Sequence, residues 1–332
     1  VSDDEDKRRA MMRHSVSVAS PVKDGGPARR GAPGRATLKG GQRRAALYLV
    51  VPFMLLYAVV YAAPILYSTG QSLFSLRNTS SLGFGGVETV FVGAENYVRV
   101  LTDQTFWEAM GRVLLLGLVQ VPAMMAVAVV LALLIDAKLV RATRAFRLIY
   151  FLPYAIPGVI AGILWSYLYG PNLSPIVKGL AHVGITVDFL RSDVVLWSIA
   201  NIVLWSFAGY NMLIALSALQ SVPRELYEAA RIDGASEMQV AVHIKLPHLR
   251  PALILTGTLS IIGTIQIFNE PQVLSVISPA VTSGYVPTMA ALSAAFGRND
   301  FGLAAATSVL IALFAGALSA LYYRLTSRET MS

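Results

Sequence analysis

Six stretches of this chain, 46–68, 113–135, 148–169, 194–220, 252–269 and 301–323, contain no Asp, Glu, Lys or Arg. A helix of about 20 apolar residues crosses the hydrocarbon core of a bilayer. Backbone amides in lipid must be bonded within their own segment, which selects helices over isolated strands. The reading is an all-α polytopic membrane protein with six transmembrane helices. Composition agrees: only 14% of residues are charged, against about 25% in a typical soluble domain.

The net charge of +8 would suit a nucleic-acid binder if it were spread over one surface. Instead, eleven of the 27 Lys and Arg fall within residues 1–44. Basic residues favour the cytoplasmic side of a membrane protein. With the N-terminus inside, the cytoplasmic segments 1–45, 136–147, 221–251 and 324–332 hold 21 of the 27. Both termini and the loop before the fifth span are therefore expected in the cytoplasm. Residues 1–44 are poor in large apolar side chains and are expected to be a disordered basic tail. Residues 327–332 form a second short tail, and 70–112 is the longest external segment. The chain has no cysteine and four histidines, none in an H-E-x-x-H pair. No metal site is expected, and thiol redox chemistry is excluded.

The segment 221–251 is long for a connection. Pro223 suits the first turn of a helix, Glu225 favours its positive end, and Gly234 permits a turn that a side chain would hinder. A second short helix through Met238, Val240, Ala241 and Ile244 is expected to stop at Pro247, with Pro251 opening the fifth span. Physically, this is either a docking surface or an amphipathic pair lying on the membrane. The residues are Glu228-Ala229-Ala230, three residues, Gly234, nine residues, then Ile244-Lys245-Leu246-Pro247. This resembles the EAA loop of ABC-importer permeases at every fixed position. Phe91-Val92-Gly93-Ala94-Glu95-Asn96-Tyr97 is similar to an element of the carbohydrate uptake (maltose/oligosaccharide-type) members of that family. The resemblance covers residues 45–326 and implies the type I importer fold, localisation in a bacterial plasma membrane, and transport by alternating access. It assigns Glu228, Ala229, Ala230 and Gly234 to coupling with an ATPase. Its implied partners are a second homologous permease, two ATPase subunits that bind ATP and Mg, and an extracytoplasmic solute-binding protein. This chain carries no G-x-x-x-x-G-K-[ST] loop, so no cofactor and no catalysis are expected in it.

Spans without charge favour a neutral, hydroxyl-rich solute, which needs a few polar groups and aromatic surface. Tyr154, Tyr167, Ser206, Phe207, Tyr210, Asn211, Ser260, Thr264, Gln266 and Asn269 supply such groups. Ser and Thr in membrane helices also back-bond or pack helices, and Trp165, Tyr167 and Tyr169 read as interfacial belt residues. For Asn211 and Gln266, helix-to-helix hydrogen bonding competes with solute contact. Pro153 and Pro157 are expected to kink the third span, and Gly158-x-x-x-Gly162 doubles as a close-packing seam. The resemblance narrows the substrate-lining set to Tyr154, Gly158, Ser206, Phe207, Ser260, Thr264 and Ile267, and the substrate to a di- or oligosaccharide. An ion-driven carrier would keep acidic or histidine side chains in the bilayer, and these spans have none. A membrane enzyme would need an acidic pair at the surface, and Asp3-Asp4-Glu5-Asp6 is the single acidic cluster.

Overall fold

The computed structural model describes residues 40–78, 86–137, 142–171 and 174–328. Residues 1–39 of the expected basic tail and 329–332 of the C-terminal one lie outside that set. Two compact units are distinguished, 1–59 and 60–332. In the first, the described residues form α1 (Gly40–Tyr57), with Pro52 inside the helix.

The second unit opens with α2 (Ala63–Gln71), a hairpin of β1 (Phe74–Asn78) and β2 (Val87–Phe91), and α3 (Glu95–Thr102). It continues through α4 (Gln104–Asp136), α5 (Thr143–Phe151), α6 (Gly158–Tyr169), α7 (Pro175–His182) and α8 (Val195–Gln220). Then come α9 (Arg224–Ile232), α10 (Glu237–Val240), α11 (Leu246–Ile265), α12 (Asn269–Leu274), α13 (Pro287–Leu292) and α14 (Phe301–Arg328).

Among the described residues, five helical stretches are long and apolar enough to cross a membrane: Leu47–Gln71, Gln104–Asp136, Val195–Gln220, Glu237–Leu274 and Phe301–Ser327. A bent pair, Thr143–Ala155 and Gly158–Tyr169, meets at 98° and is long and apolar enough only when its two helices are taken together. A run expected as one kinked span is thus two helices. The cause is local. Proline disfavours helical geometry in the residue before it, and Ile156, ahead of Pro157, is extended with ψ 125°.

Two further departures have equally local causes. The second span starts nine residues earlier than its uncharged run, because Asp103 caps the helix by accepting from the Thr105 amide at 2.8 Å. Before the fifth span, α10 does not stop at Pro247. A π turn over Ala241–Lys245 carries it into α11, the Leu246 amide reaching back to the Ala241 carbonyl. The wide turn sits where Pro247 has no N–H to offer.

The core is built on α4 against α8. Ala128, Ala132 and Ile135 recur on one face of α4 and admit Met212, Leu216 and Leu219 of α8, while Val113 and Leu116 meet Ile199 and Ile202 further along. The hairpin is the one strand element among the described residues, an addition to an otherwise helical chain. Asn96 explains its place. Its buried amide donates to the carbonyls of Ser72 and Phe74, each at 2.9 Å. Glu95 accepts two hydrogen bonds from Arg77, at 2.9 and 2.8 Å. The Phe91–Tyr97 element therefore latches the hairpin to α3.

Candidate functional site

Gly209 creates the first site. A methyl there would stand 1.7 Å from the Tyr150 carbonyl oxygen, so the end of α5 crosses α8 in backbone contact. That crossing sets the short 3-10 turn Leu152–Ala155 over α8. Tyr154 then stacks on Tyr210, ring centroids 4.6 Å apart at 16°, and meets Phe207 edge-on at 5.7 Å. Phe151 adds a fourth ring, 5.6 Å from Tyr154. Tyr154 and Phe207 remain 40% and 38% exposed, an open aromatic surface. No charged side chain belongs to this cluster. It offers ring faces and phenolic hydroxyls, the chemistry that holds an uncharged polyol.

The structure brings Tyr154 and Phe207 together with Tyr210, a member of the wider set of candidates that the narrower lining set leaves out. Ser206 is buried beside them in sequence, and its hydroxyl has no partner among the described residues. The other expected lining residues are packed elsewhere. A Cβ on Gly158 would meet Asn269 Nδ2 at 3.1 Å, and one on Gly162 would meet Val273 at 3.0 Å, so α6 seats on α12 through its glycine seam. Thr264 is buried, back-bonds to the Ser260 carbonyl at 2.8 Å and points its methyl at Gly117 of α4. Ser260 is half-buried and supplies that carbonyl. Ile267 lies inside the main core, its carbonyl accepting from the Thr288 hydroxyl.

Asn211 turns its amide back to the Phe207 carbonyl at 3.0 Å. Tyr169 is no belt residue: it is buried, donates to the Ser198 carbonyl and accepts from Asn201 at 2.9 Å. Gln120 escaped sequence reasoning. It is buried in α4, and neither polar atom of its amide has a partner among the described residues.

The second site is the polar loop. Pro223 stands just ahead of α9 as its cap, so the helix starts one residue later than expected. Gly234 adopts φ +81°. The Ala235 amide reaches the Ala230 carbonyl at 2.9 Å and the Gly234 amide reaches Arg231 at 3.1 Å, a complete Schellman closure. Ser236 and Gln239 then cap α10 reciprocally, a capping box visible as Ser-x-x-Gln in the sequence. The product is two short helices joined at Gly234. No residue of α9 is buried. Glu228 and Ala229 are exposed and Ala230 half-buried, while Leu226 and Ile232 stand 51% and 86% exposed. Beneath the loop, Tyr227, Glu228, Arg231, Lys245 and Asp136 line a cavity of about 1010 Å³. Partial burial and the Asp136 carboxylate hold the Tyr227 phenol above its ordinary pKa.

Residues 112–330 match the family described as binding-protein-dependent transport system inner membrane component. The arabinooligosaccharides transport system permease protein of Bacillus subtilis is 32% identical, over 70% of this chain and 72% of its own length. The lactose transport system permease protein of Rhizobium radiobacter is 31% identical over 67% of this chain and 72% of its own length. A bacterial ABC transporter involved in the import of the acidic polysaccharide alginate shares the fold, with a TM-score of 0.73 at 19% identity over 86% of this chain and 96% of its own.

Proposed function

We infer that this chain, which belongs to the family of binding-protein-dependent transport system inner membrane components, is the permease subunit of an ABC importer for a neutral di- or oligosaccharide. Family membership makes it a multi-pass inner-membrane transport subunit and not itself an enzyme. Carbohydrate as cargo is supported by relatives named for lactose and arabinooligosaccharides. Neutrality is supported by one observation above the others: the exposed cluster of Tyr154, Phe207 and Tyr210 carries no cation to meet an acidic sugar.

On this reading, both termini and the loop at Glu228 face the cytoplasm. A second homologous permease completes the pathway, and an extracytoplasmic binding protein delivers the solute. Two ATPase subunits, which bind ATP and Mg, drive the cycle. Glu228, Ala229, Ala230 and Gly234 form the elbow on which one ATPase pushes. The bare apolar side chains Leu226 and Ile232 are the surface such a partner would cover. Moving a two-state pathway from mostly outward to mostly inward takes about 5.5 kcal/mol of differential binding, a quantity that nucleotide-driven closure can supply. Tyr154 and Phe207, with Ser206 behind them, are the solute surface, and Gly158, Ser260, Thr264 and Ile267 shape it through packing.

Uptake by membrane vesicles holding the intact importer tests the substrate reading. Unlabelled neutral oligosaccharides are expected to compete with a labelled neutral disaccharide, and alginate oligosaccharides are not. Equal competition by the acidic sugar overturns neutrality. The coupling role has its own test in Gly234→Val. A left-handed residue costs a side chain about 1–2 kcal/mol, so the elbow should reshape while the spans insert normally. ATP-driven uptake is expected to fall more than about tenfold; unimpaired uptake removes Gly234 from the coupling element.

A further inference from the structure

We propose that Lys245 is the positioning residue that ties the cytoplasmic elbow to the membrane domain, through an ion pair with Asp136 and a ring contact with Tyr227. The proposal rests on the importer reading for its purpose, but its geometry stands alone. Lys245 Nζ lies 2.7 Å from Asp136 Oδ2, with side-chain exposures of 8% and 19%. The same ammonium sits 5.4 Å from the centroid of the Tyr227 ring. Asp136 ends α4, Tyr227 belongs to α9, and Lys245 closes the π turn that leads into α11. Three elements thus meet at one charge.

Neither partner is placed there for stability alone. A carboxylate at a helix C-terminus opposes the negative end of the helix dipole, so Asp136 is an unfavourable last residue unless a cation faces it. A buried ion pair is seldom worth more than the apolar pair that could replace it. What this pair does is join. With no buried residue in α9, the elbow has little apolar packing of its own to hold it. The Arg231–Glu237 pair, 2.8 Å long, also links α9 to the start of the continuous Glu237–Leu274 helix, but at 61% and 63% side-chain exposure it is a weak tie. A push on α9 therefore reaches the inner ends of α4 and α11 through Tyr227 and Lys245. The cation–π contact requires a charge over the ring, which separates this role from mere filling of space.

The chain has no native cysteine, so Ala229→Cys with Leu134→Cys places two spin labels on the full chain in lipid nanodiscs. A narrow distance distribution between α9 and α4 is expected for the otherwise unaltered protein. Lys245→Met and Asp136→Asn each strand one buried charge, and either lowers the melting temperature. The decisive variant combines Asp136→Asn with Lys245→Met, which leaves no unpaired charge. Its melting temperature should return to within a few degrees of the starting protein while the distribution stays at least about twofold broader. Lys245→Arg, which keeps both charge and ring contact, should restore the narrow distribution. A narrow distribution in the doubly neutral variant, or no rescue by arginine, overturns the tie. Because the measurement needs no ATPase and no solute, its failure is distinct from failure of the importer reading.

Discussion

Gly209→Ala is expected to deprive the membrane of folded permease, and Gly209→Val to do so completely. The added methyl would lie 1.7 Å from the Tyr150 carbonyl oxygen and 2.4 Å from its carbon. Both are backbone atoms, so no rotamer change relieves the clash. Overpacking a well-filled core costs about 1–3 kcal/mol when side chains can yield, and here the chain itself must withdraw. Withdrawal would lift the end of α5 from α8 and carry the Leu152–Ala155 turn with it, breaking the stack of Tyr154 on Tyr210. Gly316→Ala is the matched control, since nothing lies within 4 Å of its added methyl. Removing a helical glycine there is expected to be neutral or to stabilise by about 0.5–1 kcal/mol. Size-exclusion profile and thermal unfolding in detergent read both. A Gly209→Ala protein that elutes and melts like Gly316→Ala would show that the helices do not cross at this contact.

The membrane character of this chain was legible because lipid punishes charge over a whole span, so twenty uncharged residues carry the signal together. The bounds were less legible. Asp103 caps a helix that starts well before its apolar run, and the Ala241–Lys245 turn carries a helix through Pro247. Lipid does not set either event; local hydrogen bonds do. Pro153 and Pro157 announced a bend, but its 98° size depends on where α5 lands on α8, a tertiary matter hidden in Gly209. At the elbow, the turn at Gly234 was readable because positive φ selects glycine almost by itself. The Lys245–Asp136 pair was not, because 109 positions separate its members and no periodicity links them. Among the expected lining residues, the aromatic ones fell together and Thr264 and Ile267 fell into packed core. Their residue types fit either place, and only packing decides.

Tyr154→Ala is expected to weaken solute handling far more than it weakens the fold. At 40% exposure the ring gives up less burial than a core residue would, so melting should fall by only a few degrees. Full burial of such a ring is worth about 1.5–3 kcal/mol, so covering the 40% still exposed adds about 0.6–1.2 kcal/mol. At about 1.4 kcal/mol per decade, the half-saturating concentration for uptake should rise roughly threefold to sevenfold. Phe207→Ala should act in the same direction, because it removes the edge that meets Tyr154 at 5.7 Å. Tyr154→Phe separates ring from hydroxyl: stacking alone leaves saturation near its starting value, whereas a hydrogen bond from the phenol raises it. Thr264→Ala supplies the contrast. Its hydroxyl is already committed to the Ser260 carbonyl and its methyl to Gly117, so it should change stability and leave half-saturation alone. Vesicle uptake of a labelled neutral disaccharide by the intact importer reads all four. If Thr264→Ala shifts saturation and Tyr154→Ala does not, the solute passes along the fifth span and the aromatic surface is only packing.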